Sequence, residues 1–306
     1  MNDIALSPNT AVDTPCKEIN WPLRNIELAG LHWPAADAQS DSCPILMLHG
    51  WLDNSLTFAH LAPELCRERD VYAVDMAGHG HSGHRPEGQS YLLMDYVSDL
   101  AELVERHFGD RPEHQVDLVG HSLGGIVCVL YAAAFPEHVR SLVMIDSIGP
   151  ISRPPEDTIP QLRKAIKKRM TGSGKSVVYP DIQTAAKARE GGLSPLSPEA
   201  AMTLIPRNMR DVGQGYVWRT DPRLRHPSIM MLEESQVLAC LHKVITRTLF
   251  IRAEDGLLSH RKGWEPRLNA ISRMETVTVA GGHHCHFDGN VTPVSHAIRT
   301  FINHDG

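Results

Sequence analysis

The segment Val116-Asp-Leu-Val-Gly-His-Ser-Leu-Gly-Gly-Ile-Val127 carries three local signals in succession. Its first four residues predict a short buried strand, and the small apolar residues from Leu123 to Ala134 predict a helix. Between them stands Ser122, in the pattern Gly-x-Ser-x-Gly. The glycines allow a tight, strained turn, and the helix places its N-terminal N–H groups beside the serine. The segment therefore predicts an exposed serine nucleophile, the alternative being a glycine-rich turn with an incidental serine.

Short apolar runs on both sides of this segment alternate with helical patterns. Candidate strands lie at 45–48, 71–74, 141–145, 248–251 and 275–279, and candidate helices at 54–67, 91–107, 260–270 and 291–302. Continuous apolar strands separated by helices are typical of a mostly parallel sheet with helices on both faces. Alternation in Trp21–Trp33, around Ala29-Gly30, also predicts a β-hairpin ahead of the sheet. We therefore expect an α/β fold.

The alternation of strands and helices stops at Gly149-Pro150 and resumes near residue 238. The intervening segment is too long to be a bare loop in a compact domain. We expect a mainly helical cap at 147–237, inserted into a core formed by 21–146 and 238–306, and an irregular N-terminal arm at 1–20. A basic piece at 163–169 is typical of a solvated helix face, the alternative being a site for an anionic ligand.

Composition argues against several classes of protein. The 306 residues carry a formal net charge of −6, which gives no basic surface for a nucleic acid. The longest apolar runs are far too short to span a membrane. The first twenty residues lack the apolar run of a secretory signal, and the six cysteines have no framework spacing. We expect a cytoplasmic chain without disulfides, and the sequence leaves the oligomeric state open.

A loop that could stabilise an oxyanion follows the strand at 45–48. It begins His49-Gly50-Trp51, and in this architecture the loop faces the nucleophile. We expect the backbone N–H groups of Trp51 and Leu123 to form the oxyanion hole. His49 is expected to pack against the loop and orient it.

A candidate base lies in Gly281-Gly-His-His-Cys-His286, after the last predicted strand. A loop histidine in this place suits the chain order serine, acid, histidine. We expect His283 to take the proton of Ser122 and return it to the leaving group. The alternative is a metal site. Four adjacent residues converge poorly on one ion, and no Cys-x-x-Cys accompanies them, so we expect no metal.

Several motifs together resemble the α/β-hydrolase superfamily, and within it the serine hydrolase-like branch of the kraken type. The shared motifs are His49-Gly-Trp-Leu-Asp-Asn54, Asp75-Met-Ala-Gly-His-Gly-His-Ser82, Gly120-His-Ser-Leu-Gly-Gly125, Val217-Trp-Arg-Thr-Asp-Pro-Arg-Leu-Arg225 and Gly282-His-His-Cys-His286. The resemblance runs from about Ile45 to the end of the chain. It implies the α/β-hydrolase fold, a helical cap, poorly defined carboxylic ester substrates and no cofactor.

The acid of the expected triad has two candidates. Most members of the superfamily carry it in a Gly-x-x-Asp turn after the seventh strand, a position that falls here on Gly256 in Ala253-Glu-Asp-Gly256. Asp255 stands one residue early. The other known location is the end of the sixth strand, where Asp146 stands. We favour Asp146 and keep Asp255 as the alternative; Asp146 could instead only anchor the cap loop.

These residues predict an ester-cleaving serine hydrolase that acts on a small-molecule substrate through an acyl-enzyme. Two alternatives with the same triad are a C–C bond hydrolase and a cofactor-free perhydrolase. A third is a ligand-binding receptor built on a slow or disabled hydrolase. Dehalogenases and epoxide hydrolases use an aspartate nucleophile, whereas position 122 is serine.

Overall fold

The computed structural model describes residues 16–36, 43–109 and 115–304. Its central sheet has eight strands in the order β1-β2-β4-β3-β5-β6-β9-β10. Strand β2 is antiparallel to both β1 and β4, and all other neighbours are parallel. The strands of this sheet are β1 Lys17–Pro22, β2 Glu27–Trp33, β3 Ile45–Leu48, β4 Val71–Val74, β5 Val116–His121, β6 Val139–Ile145, β9 Arg247–Asp255 and β10 Met274–Gly282.

The helices of the described residues flank the central sheet or lie in the segment inserted after β6. They are α1 Ala62–Leu65, α2 Leu93–Phe108, α3 Leu123–Ala134, α4 Thr158–Thr171, α5 Ile182–Glu190, α6 Pro198–Asn208, α7 Glu234–Leu241, α8 Glu265–Ala270 and α9 Thr292–Asn303. Successive residues of β3 alternate between two apolar cores: Ile45 and Met47 pack on one face, Leu46 and Leu48 on the other. Because both faces are covered, all four residues of β3 are buried.

The order of the strands brings several loops to one edge of the sheet. Strand β3 lies between β4 and β5, so the connections after β3 and β5 leave neighbouring strands. Ligands of open parallel sheets bind outside the carboxyl ends of the strands, where the strand order reverses. The loops after β3, β5, β6, β9 and β10 all begin at this edge.

The segment between β6 and α7 is mainly helical, with α4, α5 and α6 as its helices. It also holds a hairpin of β7 Met209–Asp211 and β8 Tyr216–Trp218, which strand patterns did not predict because each strand has only three residues. Helix α7 crosses the expected boundary at 237, since Val237 and Leu241 are buried in the core beside α3. The core therefore resumes at Glu234.

The structure corrects three further expectations. Strand β1 begins at Lys17, inside the expected irregular arm, whose residues 1–15 lie outside the described part of the chain. Strand β1 lies at the edge of the sheet and buries few side chains, so its apolar signal is weak. The hairpin turns at 23–26 rather than at Gly30, which lies within β2 where a Cβ would meet the Ala73 carbonyl at 2.2 Å. The helical pattern at 54–67 becomes a 3-10 helix at Ser55–Phe58 and the short α1.

No helix in the described residues is long and apolar enough to cross a membrane.

Candidate active site

Ser122 occupies a strained turn between β5 and α3. Its backbone has φ 51° and ψ −114°, a conformation that residues other than glycine seldom adopt. Glycine is required on both sides of Ser122 because neighbouring backbone atoms lie where a Cβ would be. A Cβ on Gly120 would lie 2.5 Å from the Cα of Gly125, and one on Gly124 would lie 2.0 Å from the carbonyl oxygen of Leu48. The turn therefore holds the serine at the N-terminus of α3.

His283 lies beside Asp146 at the same edge of the sheet. The distance from His283 Nδ1 to Asp146 Oδ2 is 2.6 Å, and both residues are buried. A carboxylate only accepts, so Nδ1 carries the proton and the lone pair is on Nε2. The ring of His283 is 4.5 Å, between centroids, from that of His121, which precedes Ser122. No direct hydrogen bond joins Ser122 and His283 in the described structure; such contacts often tighten only when substrate binds.

The turn after β9 wraps around the Asp146 carboxylate. The backbone N–H of Leu257 donates to Asp146 Oδ2 at 2.8 Å, and that of Asp146 donates to the Ile251 carbonyl at 2.8 Å. Asp146 has φ 43°, so its backbone is also left-handed. Asp255 is exposed at the end of β9. Of the two candidate acids, Asp146 contacts His283, whereas Asp255 pairs through its backbone with Gly282 and has no hydrogen bond to His283 among the described residues.

The expected oxyanion donors lie on the loop after β3 and on the first residue of α3. The N–H of Leu52 donates to His79 Nε2 at 3.2 Å, and the N–H of Gly124 donates to the His49 carbonyl at 3.0 Å. The N–H groups of Trp51 and Leu123 have no acceptor among the described residues. They are therefore free to receive an oxyanion.

His49 orients this loop, as the sequence predicted. Its buried ring donates from Nδ1 to the Gly50 carbonyl at 2.7 Å and accepts at Nε2 from the N–H of Met76 at 3.0 Å. The indole of Trp51 is half-exposed, and its Nε1 donates to the Leu224 carbonyl at 3.0 Å. Leu224 belongs to the inserted segment, so this bond joins the loop to the expected cap.

Asp53 does not cap the 3-10 helix that follows it. Asn54 alone caps the 3-10 helix, through the N–H of Leu56. Asp53 is buried, accepts from His284 Nε2 at 3.1 Å and pairs with Arg189 of α5 at 3.2 Å. Burial raises its pKa, but His284 and Arg189 outweigh that effect and hold the pKa below its usual range. The residues next to Asp53 in the sequence do not indicate that His284 and Arg189 are its partners.

The consecutive residues 283–286 do not converge on one point. His283 meets Asp146, His284 meets Asp53, and His286 lies 3.1 Å from the Thr57 hydroxyl through Nε2. Cys285 is buried, and burial raises the pKa of its thiol to about 12. The thiol is therefore protonated at neutral pH, and a metal site made of this run alone is not present in the described residues.

Comparisons with known proteins agree with this architecture. Residues 44–193 match the family model described as alpha/beta hydrolase fold. A serine hydrolase-like protein of Danio rerio is 32% identical over 305 residues, covering 96% of this chain and 90% of the relative. A crystal structure of a hypothetical protein of Pseudomonas aeruginosa PAO1 is 35% identical, with TM-score 0.83, covering 93% of this chain and 97% of that one.

A narrower similarity concerns a different chemistry. The 2-hydroxy-6-oxo-2,4-heptadienoate hydrolase of Pseudomonas putida is 37% identical over 109 residues, which are 35% of this chain and 38% of the relative.

The strained serine turn, the sheet order and the full-length similarities identify this chain as a member of the α/β-hydrolase family, in its serine hydrolase-like branch.

Proposed function

We propose that this hydrolase cleaves carboxylic esters through a triad of Ser122, His283 and Asp146. The observation that carries the proposal is the 2.6 Å contact of His283 Nδ1 with Asp146, beside the strained turn of Ser122. This contact fixes the tautomer that leaves Nε2 free to accept a proton. Asp146 is a carboxylate whose charge stabilises the imidazolium that forms.

The reaction has two halves. Ser122 Oγ attacks the acyl carbon while His283 Nε2 takes its proton, and the N–H groups of Trp51 and Leu123 stabilise the tetrahedral oxyanion. His283 then gives the proton to the departing alkoxide, which leaves as an alcohol. In the second half, His283 Nε2 takes a proton from the water that attacks the acyl-serine, then returns it to Ser122 Oγ as the acyl–Oγ bond breaks and the carboxylic acid leaves. No metal or organic cofactor enters these steps.

We also propose that the segment between β6 and α7 acts as a cap over this site. The Trp51–Leu224 and Asp53–Arg189 contacts join the segment to the loop that carries the oxyanion donors. A segment in this position excludes water and shapes the acyl pocket.

Active-site labelling tests the proposal. The protein is treated with a fluorophosphonate probe, the labelled peptide is identified by mass spectrometry, and p-nitrophenyl ester turnover is measured in parallel. Labelling at Ser122, lost in Ser122→Ala and kept in the exposed control Ser176→Ala, is expected. A folded wild type that neither reacts with the probe nor turns over esters would instead favour a binding protein on a disabled hydrolase scaffold.

The second candidate function is C–C bond hydrolysis, favoured by the similarity to the Pseudomonas putida enzyme. It uses the same serine and histidine but a carbon leaving group. Parallel assays with p-nitrophenyl esters, 1,3-diketone ring-fission products and peroxide separate ester, C–C and perhydrolase activity. Higher kcat/KM on the ring-fission product than on every ester would replace the ester assignment.

A further inference from the structure

Three buried side chains from separate loops meet beside the candidate triad without belonging to it. They are Asp53, His121 and His284, and one ligand atom of each lies within 4.8 Å of the other two. His284 Nε2 is 3.1 Å and His121 Nδ1 is 3.9 Å from the same oxygen, Asp53 Oδ2. All three side chains are almost fully buried.

The ring of His121 leaves a lone pair without a partner in this cluster. Its Nε2 lies 3.0 Å from the carbonyl oxygen of His283, which can only accept, so Nε2 carries the proton of the neutral ring. Nδ1 is then an acceptor. It is fully buried, has no hydrogen-bond partner, and faces the carboxylate of Asp53. Two buried acceptors facing each other are unfavourable unless a positive group lies between them.

We propose that His121 Nδ1, His284 Nε2 and Asp53 Oδ2 bind a divalent transition-metal ion of the zinc class. Two imidazoles and one carboxylate match the preferences of zinc, whereas calcium and magnesium take oxygen ligands. With bonds of about 2.0–2.1 Å, tetrahedral ligand atoms lie roughly 3.4 Å apart. His284 Nε2, at 3.1 Å from Asp53 Oδ2, is already this close, whereas His121 Nδ1, at 3.9 Å, has to move about half an ångström closer. The proton on His284 Nε2 moves to Nδ1 of the same ring as the metal bond forms.

Arg189 is the competitor of such an ion. It lies 3.2 Å from Asp53 Oδ1, the oxygen that the ion does not use, and already offsets part of the carboxylate charge. A dication beside it is repelled. Replacing this cation with a neutral polar side chain is therefore expected to tighten metal binding.

Metal binding at this cluster would act on the triad indirectly. His121 donates to the His283 carbonyl, and His284 is the next residue in the chain. Drawing the two rings together moves the peptide that carries His283. Small displacements of a catalytic base cost activity steeply, so the ion is expected to inhibit ester turnover. This consequence, unlike the binding itself, rests on the proposed function.

The test measures binding without reference to activity. EDTA-treated full-length protein is titrated with Co²⁺, with visible absorption bands of four-coordinate Co²⁺ as the readout, followed by displacement with Zn²⁺. We expect one equivalent to bind, with affinity falling at least about tenfold in His284→Gln and Asp53→Asn and rising in Arg189→Gln. His32→Gln is the matched control, because His32 pairs with Asp70 at 2.9 Å outside this cluster, so its loss should leave the titration unchanged.

Different results distinguish a variant that does not fold, a metal site that does not exist and a proposed function that is wrong. Circular dichroism identifies any variant that does not fold, and the gain expected in Arg189→Gln does not depend on destabilised variants. Absence of four-coordinate bands in the wild type, or equal affinity in wild type, His284→Gln and Arg189→Gln, would overturn the site. Co²⁺ binding with these variant effects, in a protein that turns over no ester, would support the site and reject the proposed function.

Discussion

A Cβ on Gly256 would lie 2.5 Å from both carboxylate oxygens of Asp146. Gly256 is the position at which most relatives of this fold are expected to carry the triad acid. Here the residue has no side chain, which leaves room for the Asp146 carboxylate. The proposed acid, Asp146, stands instead at the end of the neighbouring strand β6, and its carboxylate occupies the volume that a side chain at 256 would need. The two positions are therefore alternatives for one carboxylate site.

Gly256→Ala is expected to lower kcat by roughly ten- to a hundredfold, because the added methyl group displaces Asp146 from His283. The φ of Gly256 is not in the left-handed region, so the backbone tolerates alanine and the fold should persist. Steady-state p-nitrophenyl ester kinetics and the melting temperature check this. Gly191→Ala is the matched control, since a Cβ there meets no atom within 4 Å. Unchanged kcat in Gly256→Ala would contradict the close fit.

Asp146→Asn is expected to lower kcat by about 10³–10⁴-fold, since the amide removes the charge that stabilises the His283 imidazolium. Asp255→Asn is expected to keep kcat within about threefold, because Asp255 is exposed and outside the His283 contact. Both rates and both melting temperatures are measured. A stable, active Asp146→Asn beside a stable, inactive Asp255→Asn would move the acid to the turn after β9.

Trp51→Phe is expected to change the acyl chain-length preference while retaining p-nitrophenyl acetate turnover. The change removes the hydrogen bond from the indole to the Leu224 carbonyl, about 1 kcal/mol, and keeps the backbone N–H proposed for the oxyanion. kcat/KM is compared over a series of acyl chain lengths. Equal loss on every ester, acetate included, would show that the contact supports the oxyanion loop rather than the cap.

Acidification is expected to destabilise the fold below about pH 6.5, the ordinary pKa of histidine. Burial lowers the pKa of His49, His79, His121 and His286, that of His79 to about 3. Below pH 6.5 the unfolded chain therefore binds protons that the folded chain does not, so the stability present above this pH is lost as the pH falls. Each such histidine contributes a slope of up to about 1.4 kcal/mol per pH unit. Urea unfolding at about pH 7.5 and about pH 5, at constant ionic strength, measures the slope; equal free energies of unfolding would contradict it.

The serine turn and the alternating strands could be predicted because their signals are local. Strand, turn and helix around Ser122 lie within a single short segment, and the glycine pattern specifies the turn. The choice between Asp146 and Asp255 could not be made in this way. It depends on the pairing of Ile145 with Ile251 across β6 and β9, which decides what the turn after β9 surrounds.

Asp53 shows a second limit of local patterns. Its neighbour Asn54 caps the 3-10 helix, a role that is typical of asparagine, whereas Asp53 bonds to residues far away in the sequence. Its partners, Arg189 and His284, are 136 and 231 residues away along the chain. Only the packing of two loops and helix α5 brings these side chains together, so no local pattern in the sequence indicates them.

The direct pairing of β6 with β9 has a further consequence for how this chain can vary. The segment between these strands leaves and re-enters the sheet at adjacent positions, so its ends are held close by the strands themselves. The entropy of closing a loop grows only logarithmically with its length, by about 0.6 kcal/mol for each doubling. Changes in the length of the loops within this segment therefore cost little closure free energy, so the part of the chain proposed to select the substrate can vary in length while β6 and β9 stay paired.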